Sequence, residues 1–279
     1  MKSLRGQTAI LTGATGGIGC HIARALAQAG TNLVLTAYPG VGLEELCADA
    51  AQSGVKALPL AFDLGEAEQC QALVSTALEK FGRVDLLVNN AGIEFTAAYH
   101  ELSVQDIRDV LRVNLEAPML LTHAVLPEML RRRWGHIVNI SSFAGRLCPG
   151  YQEPYAATKA ALTAFTHSLR GTYRGTGVSA STICPGFVDA GIYLRAKAKY
   201  GGAAPGLFGA SVCTPQQVAR AVIRAIESDV GEIFVNRYPV RPILALYGLS
   251  PALGAWITDR VLGAHDFFQA VAEARKAAP

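Results

Sequence analysis

A tyrosine and a lysine, Tyr155 and Lys159, lie four residues apart in this 279-residue chain. On a helix, this spacing places both side chains on one face. Free tyrosine has a pKa of about 10, too high for ready proton exchange with an alcohol at neutral pH. A nearby ammonium group stabilises the phenolate and lowers that pKa, so the pair could move a proton to or from a substrate oxygen. The YxxxK spacing alone is weak evidence, because it is also typical of a solvated helix face.

A glycine-rich turn is the second feature with chemical potential. Residues 12–19 read Thr-Gly-Ala-Thr-Gly-Gly-Ile-Gly, after an apolar strand-like run and before a helical pattern. Here Gly13 permits a sharp turn, Gly17 lets the backbone approach a pyrophosphate, and Gly19 lets helix and strand pack closely. The helix N-terminus adds free N–H groups and a positive dipole end. Because Gly16 and Gly17 are both present, the glycines fit either a TGxxxGxG or a TGxxGxxG spacing.

Strand-like and helical segments alternate along the chain and must position these residues. The pattern predicts strands at residues 8–12, 33–36, 57–61, 85–88, 136–140, 178–183 and 232–235. It predicts helices at residues 17–29, 43–52, 66–81, 103–133, 155–173 and 215–227. Pro118 and Pro127 are expected to bend or interrupt the fourth of these. Continuous Val, Ile and Leu runs are typical of strands buried on both faces of a parallel sheet.

We therefore expect an α/β fold with a single doubly wound (Rossmann) domain over residues 1–236. Its sheet should be parallel and mostly seven-stranded. The apolar residues 237–279 should form a C-terminal helical extension, packed on the same domain or on a partner subunit, and should help to wall an apolar substrate pocket.

Composition restricts the other function classes. The chain is 51% apolar and 17% charged with a net charge of +3, so it should fold, and no nucleic-acid partner is expected. The dense basic cluster Arg131–Arg133 ends a helical segment, where it complements the helix dipole. Six dispersed cysteines form no CxxC pair, which predicts no metal site and favours a reducing, cytoplasmic location. The uncharged stretch 242–258 is shorter than the about 20 residues of a spanning helix, so no spanning membrane segment is expected.

Further motifs follow the predicted strands in a fixed order. They are Asp63-Leu64, Asn89-Asn90-Ala91-Gly92, Asn114, Ser141-Ser142, Tyr155 with Lys159, and Pro185-Gly186. Together with the glycine turn, this set resembles the short-chain dehydrogenase/reductase family over residues 5–236, in its shorter TGxxxGxG/NNAG/YxxxK branch. The resemblance implies an oxidoreductase that moves hydride between a nicotinamide cofactor and a ketone or alcohol.

The resemblance also implies the catalytic roles. Tyr155 would be the general acid in carbonyl reduction and the general base in alcohol oxidation. Ser142 would position and polarise the substrate oxygen, and Lys159 would hold the nicotinamide ribose and lower the Tyr155 pKa. Asn114 would hold a water in a proton relay behind Lys159. Ser141 is the rival serine, but it faces the opposite side of the strand from Ser142.

The cofactor-binding residues that the resemblance implies span the whole cleft. They are Gly13, Thr15, Gly16, Gly17, Ile18, Gly19, Tyr38, Asp63, Leu64, Asn90, Ala91, Gly92, Tyr155, Lys159, Pro185, Gly186 and Val188. In the family Asp63 would bond the adenine amino group, Leu64 would cover its ring, and Asn90 would contact the ribose. Asp63 could instead cap a helix, and Asn90 could be a buried turn residue.

The end of strand two bears on which nucleotide is bound. An NAD site usually places a carboxylate there, whereas this chain has Ala37 followed by Tyr38. The missing acid favours NADP(H), with NAD(H) not excluded, although relatives that prefer NADP often carry Arg where Tyr38 stands. Ala190 also departs from the family, since many relatives have a Thr there that bonds the nicotinamide carboxamide.

The substrate is expected to be a small apolar ketone or alcohol. Residues 189–213 should form a lid, with Gly201-Gly202 as a hinge and Tyr193, Leu194, Leu207 and Phe208 as its apolar inner surface. Phe95, Phe143 and Tyr151 are further candidates for the pocket wall. The family resemblance implies a homodimer or homotetramer. The alternatives are a nucleotide-sensing or membrane-peripheral protein of the same fold with little turnover.

Overall fold

A computed structural model describes residues 3–190, 193–194, 212–238, 240–261 and 263–276. Its seven-stranded sheet has the order β3-β2-β1-β4-β5-β6-β7, and every pairing is parallel. The strands are β1 (Thr8–Thr12), β2 (Asn32–Ala37), β3 (Ala57–Ala61), β4 (Leu86–Asn89), β5 (Gly135–Ile140), β6 (Val178–Pro185) and β7 (Glu232–Val235). The predicted Rossmann-like α/β fold is confirmed.

Helices flank this sheet and continue after its last strand. They are α1 (Gly19–Gln28), α2 (Leu43–Ala51), α3 (Ala67–Phe81), α4 (Val104–Leu111), α5 (Ala117–Arg132), α6 (Ala144–Leu147), α7 (Glu153–Thr172), α8 (Pro215–Glu227), α9 (Arg241–Leu249), α10 (Pro251–Trp256) and α11 (Ala264–Lys276). A 3₁₀ turn covers Tyr99–Glu101, and π-helical turns cover Arg112–Glu116 and Ile257–Val261.

The central strands are buried on both sides, as their continuous hydrophobic runs predict, whereas the edge strands β3 and β7 are largely half-buried. All five residues of β1 are buried. Ala9 and Leu11 pack into the core shared with α1, α2 and α8, while Ile10 packs into the core shared with α3 and α5. Alternate residues of one strand therefore join two separate hydrophobic cores, one on each face of the sheet.

The two prolines that were expected to bend or interrupt the long helical region have different effects. The long helical region breaks into α4, a π-helical turn and α5, and Pro118 stands in the first turn of α5. Pro118 has no N–H to donate to the carbonyl of Asn114 four residues earlier, which accounts for the irregular turn there. Pro127, by contrast, lies inside α5 without ending it.

The sheet order reverses beside β1, which is flanked by β2 on one side and β4 on the other. Parallel sheets of this kind bind ligands beyond the carboxyl ends of the strands at such a switch point. The glycine turn follows β1, residues 90–94 follow β4, and Ser141 follows β5. The fold therefore brings the motif residues to one edge of the sheet.

Helix α11 packs beside that edge. The ring of Phe267 lies 5.4 Å from the ring of Phe187, and Tyr151 lies 5.6 Å from His265. The guanidinium of Arg275 lies 5.0 Å from the ring of Phe95. Among the described residues, no helix combines the length and apolar character needed to cross a bilayer.

Candidate active site

The glycine turn leaves no room for side chains at two of its positions. Gly13 has a φ of +60°, and a Cβ there would lie 2.8 Å from the Cα of Ala91. A Cβ on Gly19 would lie only 2.1 Å from the carbonyl oxygen of Gly13. Gly19 therefore allows α1 to pack closely against the glycine turn, whereas the sequence predicted close packing against the strand. This compact turn delivers the N-terminus of α1 to the cleft, where its N–H groups suit an anionic ligand.

Two polar side chains tie the glycine turn to the end of β4. The hydroxyl oxygen of Thr12 accepts hydrogen bonds from the backbone N–H groups of Asn90 and Ala91, each at 2.9 Å. The Asn90 side-chain amide donates to the carbonyls of Thr12 and Gly13, each at 3.0 Å. Asn90 therefore braces the glycine turn, which agrees with the alternative of a structural turn residue.

The other end of the cleft suits an adenosine group. Tyr38, Asp63 and Leu64 line the same cavity as the glycine turn. One carboxylate oxygen of Asp63 accepts from the N–H of Gly65 at 2.9 Å, which fixes the side chain in a turn. Asp63 is not the N-cap of α3, since Glu66 occupies that position. Ala37 is buried at the end of β2, and no carboxylate stands there.

The cavity brings Tyr155, Lys159 and Ser142 together. All three line it, with Tyr155 and Lys159 on one face of α7 and Ser142 just beyond β5. The ammonium nitrogen of Lys159 lies 5.6 Å from the centre of the Tyr155 ring. It donates a hydrogen bond of 2.9 Å to the carbonyl of Ile140, at the end of β5. The strand thus fixes the position of the lysine beneath the tyrosine.

Burial shifts the pKa of both groups toward their neutral forms. Burial raises the pKa of Tyr155 to about 12; a hydrogen bond with Ser142 acts in the opposite direction, and the charge of Glu94 adds to the increase. Burial also lowers the pKa of Lys159 to about 8. The sequence predicted that Lys159 would lower the pKa of Tyr155. In the folded protein the pKa is raised instead, because desolvation of the phenol is the largest effect. At neutral pH the phenol keeps its proton and can donate it.

The two neighbouring serines have different surroundings. The Ser141 hydroxyl donates to the carbonyl of Lys159 at 2.8 Å and accepts from the hydroxyl of Thr163 at 2.9 Å. These bonds support helix α7 from below. Ser142 accepts from the N–H of Ala144 at 3.1 Å, and its hydrogen bond affects the pKa of Tyr155. Ser142 is therefore the serine placed beside the tyrosine.

Asn114 lies fully buried in the first π-helical turn, behind the cleft. Its side-chain oxygen accepts from the N–H of Ile93 at 2.9 Å, and its amide donates to the carbonyl of Ile93 at 2.8 Å. A Cβ on Gly92 would lie 3.4 Å from the Asn114 side-chain oxygen and 3.5 Å from the Lys159 nitrogen. Asn114 thus stands next to the lysine and holds the loop that follows β4.

The remaining predicted cofactor residues also line the cavity. They are Gly13, Thr15, Gly16, Gly17, Ile18, Ala91, Gly92, Pro185, Gly186 and Val188, and Ala190 lies among them. Because a compact glycine turn, a helix N-terminus and a lysine face one cavity of about 550 Å³, these residues fit a dinucleotide.

Aromatic and aliphatic side chains line the end of the cavity beside Tyr155. Phe143 lies there as predicted, and Tyr193 packs on Phe187 at 5.4 Å. The expectation was wrong for Phe95 and Tyr151, which lie outside the lining because they pack against α11. Most of the predicted lid, including its Gly201-Gly202 hinge, Leu207 and Phe208, lies outside the described residues.

Several lining residues were missed by the sequence reasoning. They are Glu94, Thr96, Leu147, Pro149, Gln152, Phe187, Thr258, Phe267, Phe268 and Val271. Phe187 comes directly after one recognised motif and Glu94 two residues after another, so their positions alone could have suggested them. The C-terminal extension as a whole was expected to help wall the pocket, but the individual residues of α11 that do so carried no local signal, since only the folded chain brings them to the cleft.

Comparison with known proteins agrees with this geometry. The short chain dehydrogenase family profile matches residues 7–200. The ketoacyl reductase HetN of Nostoc sp. is 37% identical over 284 residues, covering 99% of this chain and 96% of the relative. The dehydrogenase/reductase SDR family member 7B of Bos taurus is 34% identical, covering 90% and 79%.

A solved structure agrees as well. A metagenomic short-chain oxidoreductase crystallised in complex with NADP superposes with a TM-score of 0.71 at 33% identity, covering 84% of this chain and 98% of that one. The chain therefore belongs to the short-chain dehydrogenase/reductase family. It is an NAD(P)-dependent oxidoreductase of that family.

Proposed function

We propose that the protein reduces a ketone on an apolar molecule to a secondary alcohol with NADPH, and catalyses the reverse oxidation. The observation that carries this proposal is Tyr155, which keeps its proton at neutral pH at the apolar end of the dinucleotide cleft. The nicotinamide supplies the hydride that the carbonyl carbon accepts. Tyr155 donates the proton to the carbonyl oxygen, which Ser142 holds by a hydrogen bond.

Lys159 and Asn114 support proton donation by Tyr155 without contacting the substrate oxygen themselves. Lys159 is anchored to the Ile140 carbonyl, and its ammonium favours the phenolate that Tyr155 becomes after proton donation. Asn114 braces the loop beside Lys159 and is placed to hold the water that returns a proton to the lysine. These residues suit a catalytic protein better than a nucleotide sensor, since a sensor has no use for a proton donor.

NADP(H) is the proposed cofactor. The end of β2 carries Ala37 and Tyr38, so no carboxylate repels a 2′-phosphate. Among the described lining residues, Lys159 is the only cation. We therefore expect backbone N–H groups and Tyr38 to bind the 2′-phosphate. The NADP bound to the structural relative supports the same choice.

A charge at position 37 tests this assignment. We expect the unmodified protein to bind NADPH more tightly than NADH, and Ala37→Asp to narrow or reverse that preference by repelling the 2′-phosphate. Val41→Asp is a matched control, because Val41 is 78% exposed and lies outside the cavity lining. Titration of the unmodified protein and of each variant with both nucleotides gives the ratio of the Kd for NADH to the Kd for NADPH. Tighter NADH binding by the unmodified protein would contradict the assignment.

Assembly and location remain predictions. A homodimer or homotetramer is the expected state, and the family resemblance supports it. The six free cysteines, dispersed between β-strands and helices, are compatible with a reducing cytoplasm. Light scattering of the purified protein measures its oligomeric state, and fractionation of the cells that produce it shows its location.

A further inference from the structure

The substrate end of the cavity contains one carboxylate among its described residues. The acidic residues of the described lining are Asp63, at the adenosine end, and Glu94, beside Tyr155. The lining of the same cavity also includes the apolar side chains Phe143, Leu147, Phe187, Phe267 and Phe268. In such a pocket a few polar groups decide which ligands fit.

Buried polar groups hold Glu94 in place. Its Oε2 accepts a hydrogen bond from the Thr96 hydroxyl at 2.9 Å and another from the Gln152 side-chain amide at 2.5 Å. The same Gln152 amide also donates to Thr96 at 3.2 Å. Thr96 and Gln152 are 5% and 6% exposed, so this arrangement is built into the protein and is not a surface contact.

The position of Gln152 brings the carboxylate to the catalytic helix. Gln152 is the N-cap of α7, three residues before Tyr155. The N-terminus of a helix carries a partial positive charge, which is a favourable position for a carboxylate. The electrostatic influence of Glu94 reaches the Tyr155 hydroxyl itself. A substrate whose oxygen meets Tyr155 must therefore place its remaining atoms within the field of this carboxylate.

We propose that Glu94 determines substrate specificity by charge: it excludes ketones that carry an anionic group near the carbonyl and favours those that carry a hydroxyl or ammonium group. The inference rests on the proposed function, because it concerns the same site. A carboxylate in a partly buried pocket repels a second anion much more strongly than it would in water. A hydroxyl or ammonium group can instead donate a hydrogen bond to it.

The test uses acetophenone and its hydroxymethyl, aminomethyl and carboxy derivatives, each substituted at the meta and para positions. We expect the unmodified protein to reduce the carboxy derivatives with a kcat/KM at least about tenfold below that of the hydroxymethyl derivatives. Glu94→Gln should reduce this discrimination about tenfold. Glu153→Gln is the matched control, since Glu153 is an exposed carboxylate in the first turn of α7 outside the cavity lining, and should leave the ratio unchanged.

A salt titration of the unmodified protein keeps the proposal testable if Glu94→Gln fails to fold. The ratio between hydroxymethyl and carboxy ketones should shrink as ionic strength rises, because the Debye length falls from about 10 Å at 0.1 M to about 3 Å at 1 M. Equal kcat/KM values for the two ketones in the unmodified protein at about 0.1 M salt, where screening is weak, would overturn the role of Glu94. Failure to reduce any ketone of the series, acetophenone included, would instead overturn the proposed function and this inference with it.

Discussion

Lys159 is buried in the folded protein, which lowers its stability, although the proposed reaction needs the charge of this residue. Its nitrogen is buried and bonded to one carbonyl, and burial lowers its pKa from 10.5 to about 8. Between these two pH values the unfolded chain binds more protons at this lysine than the folded protein does. The free energy of unfolding should therefore rise with pH across that window.

A neutral residue at position 159 tests this cost. Because burial lowers the pKa of Lys159 to about 8, holding the ammonium in the folded site at pH 7 costs stability, on the order of 3 kcal/mol. Lys159→Met removes that cost but leaves the Ile140 carbonyl without this donor, so we expect a net gain of about 1–2 kcal/mol at pH 7. Denaturant unfolding at pH 7 and pH 9.5 should show the gain shrinking at the higher pH.

The control for this experiment is Lys80→Met, at a lysine whose side chain is 55% exposed. It should show no pH-dependent difference from the unmodified protein. A difference between Lys159→Met and the unmodified protein that is constant with pH would contradict the account of Lys159. The activity of Lys159→Met should fall while its stability rises, since we propose that the same ammonium holds the cofactor ribose and assists Tyr155.

At the scale of elements, the contact between the glycine turn and α1 is the tightest part of the site. Gly19→Ala would force a Cβ to within 2.1 Å of the Gly13 carbonyl oxygen, and neither backbone can move freely. We expect a loss of about 1–3 kcal/mol in stability and weaker NADPH binding. Thermal unfolding and nucleotide titration measure the two effects.

Gly171→Ala is the matched control for this change. Gly171 lies on α7, and a Cβ added there would meet no atom within 4 Å outside the backbone of its own helix and its chain neighbours. Alanine should therefore be neutral or stabilise the helix by up to about 1 kcal/mol. If Gly19→Ala were as well tolerated as Gly171→Ala, the turn would not need the close approach between Gly19 and Gly13.

Local signals explain which elements the sequence predicted well. β3 and β7 have the predicted bounds, and α8 begins where Thr214 and Gln217 form a reciprocal capping box. The continuity of α5 through Pro127 has a physical reason as well. A proline within a helix removes one backbone donor, and the packing of Leu126 and Met129 in the core holds α5 together across it.

The sequence predicted those parts of the site that depend on the spacing of residues within one helix or strand. Tyr155 and Lys159 share a face because they lie four residues apart on α7, and Ser142 meets them because β5 ends beside that helix. The wall of the pocket depends instead on long-range packing. Phe95 and Tyr151 are close to the motifs in sequence but contact α11, whereas Phe267 comes from more than 100 residues away.

At the scale of the whole molecule, the C-terminal helices contribute to the substrate cavity. Phe267 and Phe268 of α11 line it and pack on Phe187, with ring centres 5.4 Å and 6.1 Å apart. We expect Phe267→Ala to lower kcat/KM for bulky apolar ketones more than for acetone, because only a bulky substrate reaches that wall. Steady-state kinetics with a ketone series of increasing size provides the comparison.

Leu249→Ala serves as the control for Phe267→Ala. Leu249 is 85% exposed at the end of α9 and does not line the cavity, so its truncation should leave the dependence on substrate size unchanged. Equal losses for acetone and for bulky ketones in Phe267→Ala would contradict the placement of α11 over the substrate.

Proton donation by Tyr155 is the central claim, and Tyr155→Phe tests it most directly because it removes one hydroxyl and keeps the ring. Tyr99→Phe, at an exposed tyrosine outside the cavity lining, is the matched control. The measurement is kcat for reduction of a ketone that the unmodified protein accepts, together with the Kd for NADPH. We predict that kcat falls by about 10²–10⁴-fold in Tyr155→Phe while the Kd stays within about twofold, and that Tyr99→Phe changes neither. A Tyr155→Phe variant with near-normal kcat would show that another group supplies the proton.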